Sequence, residues 1–456
     1  MGVLTMRVAV LLLLGVVEGR GPCFFNRTQE HCVCHNLSQK SIGSAIQCLA
    51  ASVVEFWGGE LERYTAQPIT DLEDAPTVLG SLIIKKIIFG NLLVPEVLLA
   101  RVLRFFSYTH VEELVFKSCV FQGRGNWAGM AGQGLPILSL QFHNVTSAPL
   151  LGREEEFSSL GTWLETLQEL AVTQSRVTGL PCGIGRLFKA LHSLDLAGNS
   201  LGDESLLPTF CQGAFPQLQV LSLQHNELTS YPGVCQSLRL LPELQHLDLS
   251  QNKLLTDPSS SSSSCQWPQT LRIFNLSDVG LDEVLRPLPP HLEVLDLSRN
   301  HLRAVDISLS FLRKLFLSQN LLEAAPSLGN CPRLDTLHLE NNSIAELPWE
   351  EVKLLGVLRE VALDGNPYSC SCSGAGGLQA LAATGHLGQG WPQDYRCHLP
   401  PGYQGWQVKD VPVSGLRCHS VAVIVPITVV LVLLGLAGAL CLLRSRPGLL
   451  QPCWRG

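Results

Sequence analysis

The chain has 456 residues, of which 46% are hydrophobic and only 16% are charged, a high apolar share for a soluble protein. The net charge of −7 excludes a nucleic-acid binder that neutralises phosphates with a basic surface. Sixteen cysteines, most of them near the two ends, indicate an oxidising compartment.

The first residues are typical of a secretory signal peptide. Residues 1–7 form a short basic region, residues 8–17 are apolar, and small residues surround Gly19. This order matches a segment that is inserted in the membrane and then cleaved. We therefore predict that residues 1–19 are removed and that the mature chain is extracellular.

An apolar stretch near the other end predicts a membrane span. Residues 421–443 carry no charge, and Arg444 and Arg446 follow at once. A buried core helix and a glycolipid-anchor signal are the alternatives. The flanking cations disfavour the first, and the continuing tail at 444–456 disfavours the second. We predict a single-pass type I protein of the cell membrane, with residues 444–456 as its cytoplasmic tail.

A leucine-rich repeat organises the middle of the chain. Residues 292–302 fit the template L-x-x-L-x-L-x-x-N-x-L at every fixed position. One such coil cannot bury its own apolar face, so further copies are expected. They begin at Ile84, Val111, Ile137, Leu167, Leu191, Leu218, Leu244, Leu271, Leu292, Leu312, Leu334 and Leu358. We predict an α/β fold, a horseshoe-shaped leucine-rich-repeat solenoid of about twelve repeats over residues 84–366.

Repeat length and the asparagine position vary along this array. Repeats before Leu271 are longer than most later ones, which leaves room for helices on the convex side. The consensus asparagine is present at Asn199, Asn226, Asn252, Asn300, Asn320, Asn342 and Asn366. Cys119 holds this position in the second repeat. The consensus asparagines of successive repeats form a ladder along the array. Cys119 is predicted to be a buried residue of this ladder, and a reactive thiol is the alternative.

Cysteine clusters predict a disulfide-bonded cap at each end of the array. In the N-terminal cap, residues 20–83, the cysteines are Cys23, Cys32, Cys34 and Cys48. Two disulfides are expected, in one of three connectivities, and His31 and His35 make zinc binding the alternative. Cys370, Cys372, Cys397 and Cys418 match the C-terminal caps of extracellular repeat proteins and place that cap at 367–418. Resemblance to such caps implies the pairs Cys370–Cys397 and Cys372–Cys418.

Sequons for N-glycosylation occur at Asn26, Asn36, Asn144, Asn275 and Asn341. Asn275 is predicted on the solvent side of a repeat strand, where a glycan would cover part of the concave face. Residues 198–202, centred on Ser200, match the G-x-S-x-G nucleophile elbow of hydrolases, but Asn199 and Leu201 are already explained by the repeat. We expect no enzymatic activity, no cofactor and no metal.

The N-terminal part resembles the monocyte differentiation antigen family, the lipopolysaccharide co-receptors of myeloid cells. The matching segments follow one another in order from Cys23 to Leu302. They include residues 32–38, 90–95, 98–99, 103–108, 113–114, 193–196, 233–235, 265–267 and 275–277.

The resemblance implies a hydrophobic pocket between the cap and the first repeats that takes up the acyl chains of bacterial lipids. Its lining would be Phe56, Leu61, Tyr64, Ile69, Leu72, Leu93, Val94, Leu98, Phe106 and Tyr108. Arg63, Lys85, Lys86, Arg101 and Arg104 are the candidates for a cationic rim that suits a phosphorylated headgroup. The alternative is that these apolar side chains only fill the cap's core.

The resemblance also pairs Cys23 with Cys34, Cys32 with Cys48, Cys182 with Cys211, and Cys235 with Cys265, and it leaves Cys119 and Cys331 free. The chain departs from the mammalian members in its predicted membrane span and its C-terminal cap, so a homodimer stays an open question. The resulting hypothesis is an innate immune co-receptor that binds lipopolysaccharide and related microbial lipids and passes them, with lipid-transfer proteins as further partners, to Toll-like receptor complexes. The alternative hypothesis is an adhesion or protein-ligand receptor that uses its concave face.

Overall fold

The computed structural model describes residues 22–38, 42–59, 82–95, 99–100, 103, 106–122, 134–147, 160–255, 265–388, 390–413 and 428–439. The predicted signal peptide and cytoplasmic tail lie outside these residues. So do Leu61, Tyr64, Ile69, Leu72, Leu98, Arg63, Arg101, Arg104 and Cys418. The described residues belong to two compact units, one within 1–320 and 327–334, the other within 321–326 and 335–456.

The first unit is built on a long sheet. Its strands are β1 (Cys23–Asn26), β2 (His31–Leu37), β3 (Val53–Gly59), β4 (Lys86–Gly90), β5 (Leu93–Pro95), β6 (Glu113–Lys117), β7 (Val120–Gln122), β8 (Ser139–His143), β9 (Glu169–Thr173), β10 (Ser193–Asp195), β11 (Val220–Ser222), β12 (His246–Asp248), β13 (Ile273–Asn275), β14 (Val294–Asp296) and β15 (Lys314–Phe316). Strands β1 and β2 pair antiparallel, and from β2 onward the neighbours pair in parallel. The small strands β5 and β7 pair separately.

This arrangement confirms the predicted leucine-rich-repeat solenoid with disulfides. From β4 on, each strand of the long sheet starts about two residues after a predicted repeat start, and its inward residue is a buried leucine or another apolar group. Strand β3 also pairs with β4 in parallel. The sheet therefore extends into the predicted N-terminal cap, because Val54 and Phe56 alternate inward as the repeat residues do.

Whether a repeat contains a helix depends on its length. The longer repeats contain α1 (Gly161–Leu164), α2 (Cys182–Leu187), α3 (Asp203–Thr209) and α4 (Tyr231–Leu238) on their return segments. Between residues 265 and 320, all of them described, the returns contain no α-helix. The shorter repeats close with extended or turn segments, as their length predicts.

An aromatic spine fills the core of the first repeats. The rings of Phe56, Phe89, Phe116 and Phe142 stack in succession, with centroids 5.6, 5.4 and 5.3 Å apart. They lie in register on β3, β4, β6 and β8. Aromatic contacts of this kind add roughly 0.5–1.5 kcal/mol per pair to the burial of apolar area.

The second unit contains the last repeats and a C-terminal cap. Its strands are β16 (Thr336–His338), β17 (Glu360–Ala362), β18 (Tyr368–Ser369) and β19 (Cys397–Leu399), and its helices are α5 (Trp349–Leu355), α6 (Cys372–Ala383) and α7 (428–439). Short 3₁₀ segments span Pro401–Tyr403 and Val408–Asp410. The amide of Gln379 on α6 donates to the carbonyls of Val408 and Val411, both at 2.8 Å. In the part of the chain that is described, no helix has both the length and the apolar content needed to cross a bilayer.

Candidate functional site

Two disulfides hold the N-terminal cap together. Cys23 is joined to Cys34 across β1 and β2, and Cys32 is joined to Cys48. Their sulfur atoms lie in a buried cluster with Leu37 and Val54. Because zinc binds thiolates, and these sulfurs are bonded to each other, the zinc alternative does not hold.

The first repeat leaves apolar side chains incompletely covered. Phe56 and Ile84 pack against the cap cluster but are only half-buried. Ile84 is the first residue of its repeat, and the residues at the same position in five later repeats are 0% exposed, namely Leu191, Leu218, Leu244, Leu271 and Leu292. The preceding residue, Ile83, is 52% exposed, and Tyr108, later in the same repeat, is 38% exposed. Apolar side chains of the first repeat are thus less covered than those at the start of the later repeats.

The other described residues of the predicted lining occupy different environments. Leu93 is half-buried on β5, while Val94 and Phe106 are buried. Val94 is paired with Phe121 across β5 and β7. Three of the predicted residues, Phe56, Leu93 and Tyr108, are therefore accessible at least in part, whereas Val94 and Phe106 belong to the core. The prediction omitted Ile83 and Ile84, although their position at the start of the array was a signal for them.

The described rim lysines differ in their partners. Lys85 is exposed, whereas Lys86 is half-buried and donates to Glu113 at 2.6 Å. Glu113 also accepts from the amide of Gln141 at 3.0 Å. Because Glu113 balances its charge, Lys86 is a weaker candidate than Lys85 for the predicted cationic rim.

A second polar group lies beside this pair on the outward face of β3. The Glu55 carboxylate accepts from the Trp57 indole at 2.6 Å and lies 3.0 Å from His31 Nε2. The indole of Trp57 covers Gly90, where a Cβ atom would overlap the ring. This contact requires glycine at position 90. Polar side chains with fixed partners therefore lie on the outward faces of β3, β4 and β6.

The asparagine ladder is absent from the first four repeats. Leu92, Cys119, Val145 and Ser175 stand at the ladder position, and Asn199 is the first asparagine there. In these repeats shorter side chains and the backbone supply bonds instead. Ser175 Oγ accepts from Val145 N at 3.1 Å and donates to Thr173 O at 2.8 Å. Val120 N donates to Leu92 O at 2.9 Å, and Thr146 N donates to Cys119 O at 3.0 Å.

Asn199 shows how the later ladder works. Its Nδ2 donates to Val172 O at 2.6 Å and to Leu196 O at 2.9 Å, and its Oδ1 accepts from Ser175 N and Val177 N. Leu201 is fully buried in the same repeat. The residues around Ser200 thus have structural roles, as the repeat interpretation requires.

Cys119 lies 3.4 Å from Phe89 O and 3.5 Å from Lys117 O through its Sγ atom. These carbonyls correspond to two of those that a ladder asparagine contacts. Burial raises the pKa of the Cys119 thiol, and burial likewise raises the pKa of the Cys331 thiol. Low thiolate content and burial disfavour the reactive-thiol alternative.

The remaining disulfides and sequons lie along both units. Disulfides join Cys182 to Cys211, Cys235 to Cys265 and Cys370 to Cys397, and Cys119 and Cys331 are free.

Of the sequons, Asn36, Asn144 and Asn341 are exposed, and Asn26 is half-buried. Asn275 is half-buried and donates from Nδ2 to Asp248 at 3.0 Å. Asn275 thus lies on the face of β13 opposite the buried Phe274, where the neighbouring parallel strand brings Asp248 within bonding distance.

Comparison with known proteins places these repeats among relatives. Residues 216–263 match a family model described as "Leucine Rich repeats (2 copies)", and residues 190–208 and 289–308 match one described as "Leucine Rich repeat". Toll-like receptor 2 of Bos taurus is 30% identical over 358 residues, which cover 75% of this chain and 44% of that protein. The protein of Bison bison is 30% identical over 376 residues, 78% of this chain and 46% of that protein.

The chain is a leucine-rich-repeat protein related to Toll-like receptor 2. It spans less than half the length of these curated relatives. Among solved structures, the mouse RP105/MD-1 complex includes a chain with a TM-score of 0.52 and 17% identity, covering 84% of this chain and 73% of that one. This similarity concerns the repeat fold alone. The finer resemblance to the myeloid lipopolysaccharide co-receptors stays a prediction.

Proposed function

We propose that this protein is a non-enzymatic innate immune receptor that captures bacterial lipopolysaccharide and related lipids at its N-terminal end. The ligand would then pass to Toll-like receptor complexes, with lipid-transfer proteins as further partners. The observation that carries the proposal is the partial exposure of four apolar side chains in the cap and the first repeat, Ile83, Ile84, Phe56 and Tyr108. Acyl chains covering these side chains would gain roughly 25 cal/mol for each Å² of apolar area removed from water.

The proposal places the repeats outside the cell on a membrane anchor. Its support is the uncharged sequence 421–443, followed by arginines. Helix α7 lies within this stretch, and its large apolar side chains, such as Val429, Leu431 and Leu434, are more than half exposed. Disulfides and N-glycosylation sequons fit the same compartment.

Binding of labelled lipopolysaccharide to cells that display the full chain tests the proposal. Ile83→Glu and Tyr108→Glu alter exposed side chains, so folding is expected to survive. Each should lower bound ligand about tenfold at equal surface display, equivalent to about 1.4 kcal/mol of binding free energy. Val220→Glu, an exposed apolar residue on β11, is the matched control and should bind as the wild type does. Equal binding by wild-type and untransfected cells would refute the proposal.

A concave-face protein receptor is the second candidate, favoured by a row of fixed carboxylates. Asp195, Asp248 and Asp296 lie at the same position of their repeats, and each accepts through Oδ1 from the backbone N–H two residues later. Such an acidic row suits a basic protein surface. If Asp248→Ala weakens ligand capture and Ile83→Glu does not, this second candidate replaces the first.

A further inference from the structure

A rigid loop projects from the C-terminal cap between Cys397 and Gln407. Cys397 N donates to Trp406 O at 2.9 Å, and Gly405 N donates to Cys397 O at 2.8 Å, which closes the base of the loop. The disulfide from Cys397 to Cys370 ties this base to the cap. Within the loop, Trp406 N donates to Tyr403 O at 2.9 Å, and the two rings meet edge to face at 5.4 Å.

The loop carries an apolar tip. Leu399 is 53% exposed and Trp406 is 49% exposed. In the described part of residues 367–413, these are the large apolar side chains with such exposure, and both lie on this one loop. Pro400 and Pro401 between them are exposed as well. Because the loop is already ordered by its own hydrogen bonds, a partner that covers it loses little conformational entropy.

The position of the loop in the chain indicates what covers it. The cap ends at Val413 in the described structure, and residues 414–420 connect it to the uncharged stretch 421–443. Seven residues span at most about 25 Å when fully extended. If 421–443 crosses the membrane, the cap stands close to the bilayer surface. Tryptophan and tyrosine concentrate at this interface, where an amphipathic ring contacts both headgroups and acyl chains.

We propose that the loop 398–406 rests on the outer leaflet of the bilayer, with Trp406 and Leu399 in the headgroup region. This inference depends on the membrane anchor in the proposed function. It assigns the cap a second role, since the contact orients the second unit on the membrane in addition to sealing the repeat core.

Quenching of tryptophan fluorescence by brominated phosphatidylcholine tests the contact in the full chain, reconstituted in vesicles. Trp406→Phe keeps an apolar ring but removes the fluorophore, so it should abolish the part of the quenching that Trp406 contributes. Trp349→Phe is the matched control, because Trp349 is also strongly exposed and lies in the same unit, on α5. It should leave the lipid-dependent quenching at the wild-type level.

Leu399→Asp provides a second, independent variant that retains Trp406. It should reduce the quenching to the Trp406→Phe level, because the charged tip leaves the membrane interface. Wild-type quenching in both Trp406→Phe and Leu399→Asp would overturn the proposed contact. The discovery of a protein partner that covers Trp406 and shields it from bromolipid would overturn it as well. Extraction of the wild-type chain from vesicles by alkaline carbonate would instead show that the anchor itself is wrong, and the loop contact would fail with it.

Discussion

The first four repeats and the later repeats of the first unit hold the same sheet together by different means. From Asn199 onward, buried asparagines bond to backbone groups of their own and neighbouring coils. A stack of phenylalanines fills the core from the cap to the third repeat, and none of the first four repeats has an asparagine at the ladder position. The difference teaches that the sheet can be stabilised with or without the asparagines, and that among the described repeats only the first leaves its apolar start residue, Ile84, partly exposed.

The largest loss of stability should come from a substitution in the aromatic spine of the first repeats. Phe116 is buried and contacts Phe89, Phe121 and Phe142. Phe116→Ala should lower the free energy of unfolding by about 3–5 kcal/mol, because it removes a large side chain and leaves a cavity. Chemical denaturation followed by circular dichroism measures the change. A loss below about 1 kcal/mol would mean that the spine does not support the first repeats.

Breaking the asparagine ladder should have a somewhat smaller effect. Asn252 is buried, its Nδ2 donates to Leu223 O and Leu249 O at 2.9 Å, and its Oδ1 accepts from two backbone N–H groups. Asn252→Ala should cost about 2–4 kcal/mol, since several buried polar groups lose their partner. The same denaturation experiment applies, with the exposed Gln217→Ala as a control that should change stability little. Equal losses in the two variants would contradict the ladder's role.

Reciprocal substitutions sharpen the comparison further. Cys119→Asn places the consensus residue next to Phe89 O and Lys117 O, so its effect on stability should stay within about 1 kcal/mol. Asn252→Cys should lose about 2 kcal/mol, because a thiol cannot serve the same donors and acceptors. If both swaps cost the same, the two kinds of repeat do not differ at this position.

The smallest change in the free energy of unfolding should come from substitutions in the ion pair between Lys86 and Glu113. Both Lys86 and Glu113 are partly exposed to solvent. Lys86→Ala should change the free energy of unfolding by no more than about 1 kcal/mol, because water screens such pairs. A double-mutant cycle with Glu113→Ala isolates the interaction. A coupling well above this value would show that the pair is a structural element of the first repeats.

Sequence alone could predict the strands and the ladder asparagines, because both follow from a fixed template and from local chemistry. The template also located Cys119 at the ladder position. It could not predict the exposure of Ile84, since Ile84 and Leu292 hold the same place in the pattern. Their difference depends on what packs before the first coil, here the disulfide-bonded cap.

Contacts between side chains on neighbouring strands could not be predicted from the sequence either. Lys86 and Glu113 are 27 residues apart, and only the register of β4 against β6 brings them together. In the same way, alternation predicts that Asn275 points outward, but parallel strands lie only about 4.8 Å apart, so Asp248 is within reach of its amide. Both contacts change the chemistry expected of the residues involved.

Photo-crosslinking with a lipid A analogue that carries a reactive group in an acyl chain tests the central claim most directly. After irradiation of the full chain and digestion, mass spectrometry locates the labelled residues. The account predicts labels on the residues around Ile83, Ile84, Phe56 and Tyr108, and their loss when unlabelled lipid A competes. Labels confined to the concave residues of β10 to β14, or none that lipid A displaces, would contradict it.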